Sequence, residues 1–258
     1  MIKNIIKIYL SVIIISLVLN AKERTSINLA TEDWAPFSFM DKTKHKISGL
    51  STEIIEATFN KMGVKVSSNK IMPWARTQEL GFEGRYDAVY TASINDERRE
   101  YMYFPKEPVI TSKWVLFATK KNKDRLNFNG YGSLKGKKFC LIAGYNYPKI
   151  FKDYIIKNSK ITIVSKEDLN IAKLIHGRCD YMPAILETTL DITKHNKSLK
   201  ALNAYDKVFY FTKPLSVSRF YIMFSKKNVS KDFVDRFSKE LKDFKKTSQY
   251  KHILNKYL

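Results

Sequence analysis

The sequence predicts an α/β protein of two lobes, each a mostly parallel sheet flanked by helices. Three observations carry this expectation. Strand-like and helix-like periodicities alternate along the chain, beginning with a β-α-β-α-β run of about 65 residues. Gly and Pro punctuate the alternation where helices end and begin. The length of 258 residues with 44% apolar content is enough for two separate cores.

Taken in order, Ile27-Asn28-Leu29-Ala30 alternates as a short strand does. A helix follows Ser51, with Ile55, Phe59 and Met62 at i, i+4 and i+7, and Gly63 ends it. Val64-Lys65-Val66 reads as a strand, Trp74 to Phe82 as a helix opening after Pro73, and Asp87 to Tyr90 as a third strand. Further on, Trp114–Thr119, Phe139–Ala143, Ile161–Val164 and Tyr181-Met182 are strand-like. Helices are expected over Tyr147–Lys157 and around Leu169, Ala172 and Ile175, the latter stopped by Gly177. Asn122 to Gly136 reads as a surface loop. Ser230 caps a helix with Phe233, Phe237, Leu241 and Phe244 on one face, and a last amphipathic segment carries Tyr250, Ile253 and Leu254.

The composition, with 13% aromatics and 28% charged residues, excludes a disordered tail, a collagen-like fibre and a disulfide-dense mini-protein. The formal charge is +21, from 46 Lys+Arg against 25 Asp+Glu. Lys is scattered from end to end, the pattern of a solvated surface, so no nucleic-acid partner is expected. Lys3 and Lys7 precede an apolar run from Ile8 to Leu19, and Ala21 offers a small residue for cleavage. Residues 1–21 therefore read as a secretory signal peptide, too short in its apolar part to span a bilayer. Cys140 and Cys179 either pair in the oxidising compartment or remain two buried thiols. No Cys-x-x-Cys or His-Glu-x-x-His motif occurs and the four histidines are dispersed, so neither metal nor cofactor is expected.

Six fragments in sequence carry a resemblance. They are Trp34-Ala35-Pro36-Phe37, Gly49-Leu50-Ser51-Thr52-Glu53-Ile54, Gly84-Arg85-Tyr86-Asp87-Ala88, Ser93 to Arg98 with Phe104 six residues on, Leu134-Lys135-Gly136-Lys137-Lys138, and Gly177-Arg178-Cys179-Asp180. In this order the chain resembles the bacterial extracellular solute-binding proteins of family 3, the periplasmic receptors of polar amino-acid ABC uptake systems. The resemblance implies the type II periplasmic-binding-protein fold, with two hinge crossovers. Lobe 1 would hold 22–110 and 221–258, and lobe 2 would hold 111–220. Ligand would sit between them at the carboxyl ends of the strands, and the lobes would close on it.

By the same resemblance, Arg98 is expected to fork onto a ligand carboxylate, with Arg99 the adjacent alternative. Thr91 and Ser93 would add hydroxyl or amide contacts. Trp34 and Trp74 would flank the ligand, and Arg76 either faces the cleft or solvent. From the second lobe, Asn146 would touch the carboxylate and Tyr145, with Tyr147, would wall the cleft. The family's usual ammonium-binding Asp corresponds to Ile185 here, which leaves Glu187, two residues on, as the substitute. The expected function is capture of a small polar carboxylate, an amino acid or a relative, by a monomer that delivers it to an ABC transporter permease. No catalysis is expected. The alternatives left open are a dehydratase-like periplasmic enzyme of the same fold and a ligand-sensing module for a membrane signalling partner.

Overall fold

The computed structural model describes residues 24–143, 145 and 147–257. The expected signal peptide and Asn146 lie outside the described residues. The first elements are β1 (Ser26–Thr31), the hairpin β2 (Phe39–Asp41) and β3 (Lys46–Ser48), α1 (Leu50–Lys61), β4 (Lys65–Ile71), α2 (Trp74–Phe82), β5 (Ala88–Ala92), α3 (Asp96–Tyr101) and β6 (Met102–Tyr103). A long strand, β7 (Ile110–Thr119), leads to β8 (Lys138–Ile142), α4 (Lys149–Asn158), β9 (Lys160–Val164), α5 (Glu167–Ile175), β10 (Met182–Ile185) and α6 (Leu186–His195). Two helical turns, α7 (Lys197–Ala201) and α8 (Ala204–Lys207), precede β11 (Val208–Tyr210). A second long strand, β12 (Ser216–Ser225), is followed by α9 (Lys231–Phe244) and α10 (Ser248–Tyr257).

Parallel pairing holds at the flanks. β1 lies between β4 and β5, parallel to both, and β8 runs parallel to β9. The centre is antiparallel. β12 pairs Tyr221–Phe224 with β5 and Ser216–Phe220 with β7. β7 then pairs Trp114–Phe117 with β10 and Phe117–Thr119 with β11. These two strands are the crossovers between the cores. The sequence reading recognised only the second half of β7 and did not pick out β12.

Period-2 alternation explains why β7 is apolar throughout its second half. Trp114, Leu116 and Ala118 face one cluster, while Val115 and Phe117 face another on the opposite side. A strand covered by helices on both faces needs no polar side. The first core joins Ile27 and Leu29 of β1 to Ile54, Ile55 and Phe59 of α1 and to Phe233, Phe237 and Leu241 of α9. Phe59 and Phe237 meet at 4.8 Å between ring centroids. The Ser230 hydroxyl caps α9 as expected, accepting from the Phe233 N–H.

The structure refines three readings. The helix expected around Leu169, Ala172 and Ile175 is present as α5, with Ile171 and Leu174 fully buried, Ala172 and Ile175 partly buried against the same core, and Leu169 49% exposed. Two polar contacts set the rotation. Glu167 accepts from the Thr189 hydroxyl at 2.6 Å, and the Asn170 amide donates to the Cys140 carbonyl at 3.1 Å. The segment from Asn122 to Gly136 is not simply a surface loop, because it buries Leu126, Phe128 and Leu134 in the second core. The cysteines, left open by the sequence, form a disulfide between β8 and the approach to β10, with Cα atoms 5.7 Å apart.

Candidate functional site

The carboxyl ends of strands from both cores converge on one cavity of about 280 Å³. Glu32, Asp33 and Trp34 reach it directly after β1, and Trp114 from the crossover β7. Tyr145 follows β8, Glu167 opens α5, Ile185 ends β10 and Thr188 lies in the first turn of α6. Chain reversals at strand ends bring side chains from distant sequence positions together here, the usual place for ligands in open α/β sheets. A broader concavity of about 740 Å³ runs along β4 beside the β2–β3 hairpin. It brings together none of the expected site residues and draws on one core only. The cleft between the cores is the candidate site.

A tight turn aims Trp34. Its carbonyl accepts the N–H groups of Phe37 at 2.9 Å and Ser38 at 3.0 Å, and its own N–H donates to the Ser38 carbonyl at 2.7 Å. The indole packs edge-on against Phe37 at 4.8 Å and against Phe220 of crossover β12 at 5.0 Å. On the opposite wall Trp114 is 9% exposed and meets Tyr147 at 5.2 Å and Tyr145 at 6.5 Å, both T-shaped.

Beside the cavity, Arg98 is held from three sides. Its Nε donates to Gln78 Oε1 at 2.8 Å, and its Nη1 donates to the Ser93 carbonyl at 2.7 Å and hydroxyl at 2.9 Å. Its guanidinium lies 4.9 Å from the Trp74 ring centroid. Nη2 has no hydrogen-bond partner among the described residues. Burial lowers the Arg98 pKa from its ordinary value, against the pull of Glu97 and Glu32. Thr91, at the end of β5, has φ +66°, the left-handed region that a β-branched residue rarely enters. Its buried hydroxyl has no partner among the described residues. Strain together with an unpaired polar atom is the pattern found at functional sites.

The acids around the cleft are shaped chiefly by burial. Glu167 accepts from the hydroxyls of Thr189 and Tyr145, yet burial still raises its carboxyl pKa above 4.5. Burial also raises Glu32, opposed by Arg98, and Glu187, opposed by the Ser112 hydroxyl that donates to it. A carboxyl raised in the folded state contributes stability below its ordinary value of 4.5 and loses that contribution as pH rises through the folded value. Glu187→Gln keeps an acceptor for Ser112. It is expected to stabilise the protein at pH 7 by about 1 kcal/mol, roughly 2–4 °C by differential scanning calorimetry. The advantage should disappear below pH 4.5. An equal difference at both pH values would mean that charge burial is not its cause.

Of the expected site residues, Trp34 and Tyr145 line the cavity. Arg98, Ser93 and Trp74 form the adjoining cluster, with Thr91 at the strand end above them in sequence. Arg99 is exposed. Arg76 takes its solvent-facing alternative, with a 56% exposed side chain paired to Glu79 at 2.7 Å. Glu187 turns to Ser112 of the crossover and is not among the cavity-lining residues, whereas Ile185 is. Asp180 of the Gly177–Asp180 fragment pairs with Arg125 at 2.8 Å and accepts the Lys138 N–H at the start of β8. Sequence reasoning missed Glu32, Asp33, Trp114, Glu167 and Thr188. The acidic pair directly before Trp34, and Trp114 as the remaining tryptophan, were the available signals.

Comparison with known proteins agrees with this architecture. A probable amino-acid ABC transporter periplasmic-binding protein of Sinorhizobium fredii is 22% identical over 243 residues, spanning 92% of this chain and 78% of its own. The second substrate-binding domain of Lactococcus lactis GlnP, in an open conformation, superposes with a TM-score of 0.75 at 15% identity, covering 92% of this chain and 97% of that one. An ancestral cationic amino acid solute-binding protein gives 0.71 at 20% identity, covering 90% and 95%. The fold is the two-lobed type II periplasmic-binding-protein fold. The family model for bacterial extracellular solute-binding proteins, family 3, matches residues 27–258. The chain belongs to that family.

Proposed function

We propose that the protein is a periplasmic receptor that captures a small polar ligand, an amino acid or related carboxylate, and hands it to an ABC transporter permease. The carrying observation is a cavity of about 280 Å³ walled from both cores at the crossover strands, with Arg98 fixed beside it. Ser93, Gln78 and Trp74 orient the guanidinium, which leaves Nη2 for one ligand carboxylate oxygen. The strained Thr91 supplies a buried hydroxyl without a competing partner. On this reading lobe 1 comprises 22–110 and 221–258, lobe 2 comprises 111–220, and closure bends β7 and β12 where Ile110 pairs with Phe220. No helix among the described residues is long and apolar enough to cross a membrane. The receptor works as a monomer released by cleavage after Ala21.

The test is calorimetric titration of the protein purified after export, against amino acids and small carboxylates. A ligand at 100 times its dissociation constant stabilises the fold by about 2.7 kcal/mol, so a melting screen finds it first. Arg98→Ala is expected to weaken the ligand at least 100-fold, the scale of a charge-assisted pair left unmade. Binding unchanged in Arg98→Ala would remove the carboxylate anchor from this reading. Mass spectrometry of the exported protein should find Lys22 at its N-terminus.

A further inference from the structure

The charge of the cleft points to the class of ligand, an inference that rests on the receptor reading above. The chain has a net charge of +21, yet the cavity is lined by three carboxylates, Glu32, Asp33 and Glu167, and by no Lys or Arg. A basic protein that concentrates acids in this cavity between its cores reverses its own field there. The Glu32 carboxylate has no hydrogen-bond donor among the described residues, and burial opposes its charge, as it does that of Glu167. A second observation is independent of the acids. Thr188 lines the same cavity at 8% exposure, and its hydroxyl has no partner among the described residues. The remaining walls are Trp34, Trp114 and Tyr145, whose ring faces are electron-rich.

Each type of guest meets these walls differently. An anion would face three carboxylates in the cavity wall, with the counter-charge of Arg98 beside the cavity and already drawn by Glu32 and Glu97. A neutral guest would leave the burial of Glu32 and Glu167 uncompensated. A cation offsets that cost and gains from the aromatic faces, and the N–H of an amine or guanidinium can also donate to the Thr188 hydroxyl. We propose that the cleft selects a small organic cation, bearing a primary amine, a guanidinium or a quaternary ammonium, with its charge set against Glu32, Asp33 and Glu167. This division of labour explains how the cleft manages with Ile185 where an acid was expected: the cation is held from the β1 end and from the start of α5. The volume of about 280 Å³ limits the guest to one small molecule.

Titration calorimetry with arginine, agmatine, putrescine and choline against glutamate and glutamine tests this directly. Cationic probes are expected to bind, and glutamate to bind at least 100-fold more weakly than arginine. Glu167→Gln, and separately Glu32→Gln with Asp33→Asn, should each weaken the best cation about tenfold or more, equivalent to about 1.4 kcal/mol. Melting curves confirm that the variants fold, and exposed Glu83→Gln serves as the surface-charge control. Cation binding that survives both variants overturns the proposal. Binding of glutamate or glutamine, lost in Trp34→Ala, with all four cations silent, overturns the cation class and leaves the receptor reading standing. Silence of every probe at millimolar concentration overturns the cation class, and the wider titration against amino acids and small carboxylates then decides the receptor reading.

Discussion

Gly49→Ala is expected to destabilise the protein by about 3–5 kcal/mol and to abolish binding in the cleft. Gly49 precedes α1 with φ +125°, a conformation that L side chains rarely adopt. A Cβ there would stand 2.5 Å from the Phe37 carbonyl oxygen and 2.8 Å from the Ser38 nitrogen. Both contacts are backbone, so no rotamer change relieves them. Such strain costs about 1–3 kcal/mol, and forced overpacking adds about 1–3 more. The displaced backbone belongs to the turn that aims Trp34, and through Phe37 it reaches the first core. Gly63→Ala is the control. Its φ is +70°, but nothing lies within 4 Å of the added Cβ, so only the left-handed penalty of about 1–2 kcal/mol applies. Calorimetric melting of both variants, with titration of the best ligand, separates the effects. Equal losses at the two positions would mean that the close approach at Gly49 relaxes cheaply.

Replacing Cys140 and Cys179 by Ala is the second large effect, an expected loss of about 2–5 kcal/mol. The bridge closes a 39-residue separation, for which the chain-entropy model gives about 4 kcal/mol. The loop contains α4, β9 and α5, so the denatured chain gains freedom over the part of the second core that supplies Glu167. At a few degrees per kcal/mol, the melting midpoint should fall by roughly 8–16 °C for a loss near 4 kcal/mol. The same double variant should leave first-core features such as the Phe59–Phe237 contact in place. Hydrogen exchange would then show the loss of protection concentrated in β8, β9 and α5. Uniform loss across both cores would mean that they unfold as one unit.

Much of the fold is legible wherever local periodicity and core burial agree. The α9 face of Phe233, Phe237, Leu241 and Phe244 is buried as its spacing predicts, and α2 runs from Trp74 to Phe82 as Pro73 predicts. The crossovers are harder, because β7 and β12 pair with each other across more than 100 residues of chain. β12 alternates through Val217 and Arg219 and then becomes continuously apolar, so no single period describes it. Which residues of α5 are fully buried depends similarly on Asn170 and Glu167, polar residues whose partners lie on β8 and α6. The cleft divides likewise. Trp34, Ser93 and Arg98 were expected from fragments with recognisable order, and Tyr145 from the strand end that follows one of them. Glu32, Glu167 and Thr188 belong to no motif, and their meaning appears only when strand ends from both cores are assembled around one cavity.

Trp34 and Trp114 face the cavity, and Trp74 lies under the Arg98 guanidinium beside it. These are all the tryptophans the chain possesses. The protein therefore carries its own optical probe, confined to the place where ligand is expected to arrive. Indole emission, excited clear of the tyrosines, should change in intensity or wavelength when a guest enters or the lobes close. A stopped-flow trace would then read arrival and closure without any dye. Single Trp→Phe replacements would assign the signal to the first-core wall, the crossover strand or the arginine cluster.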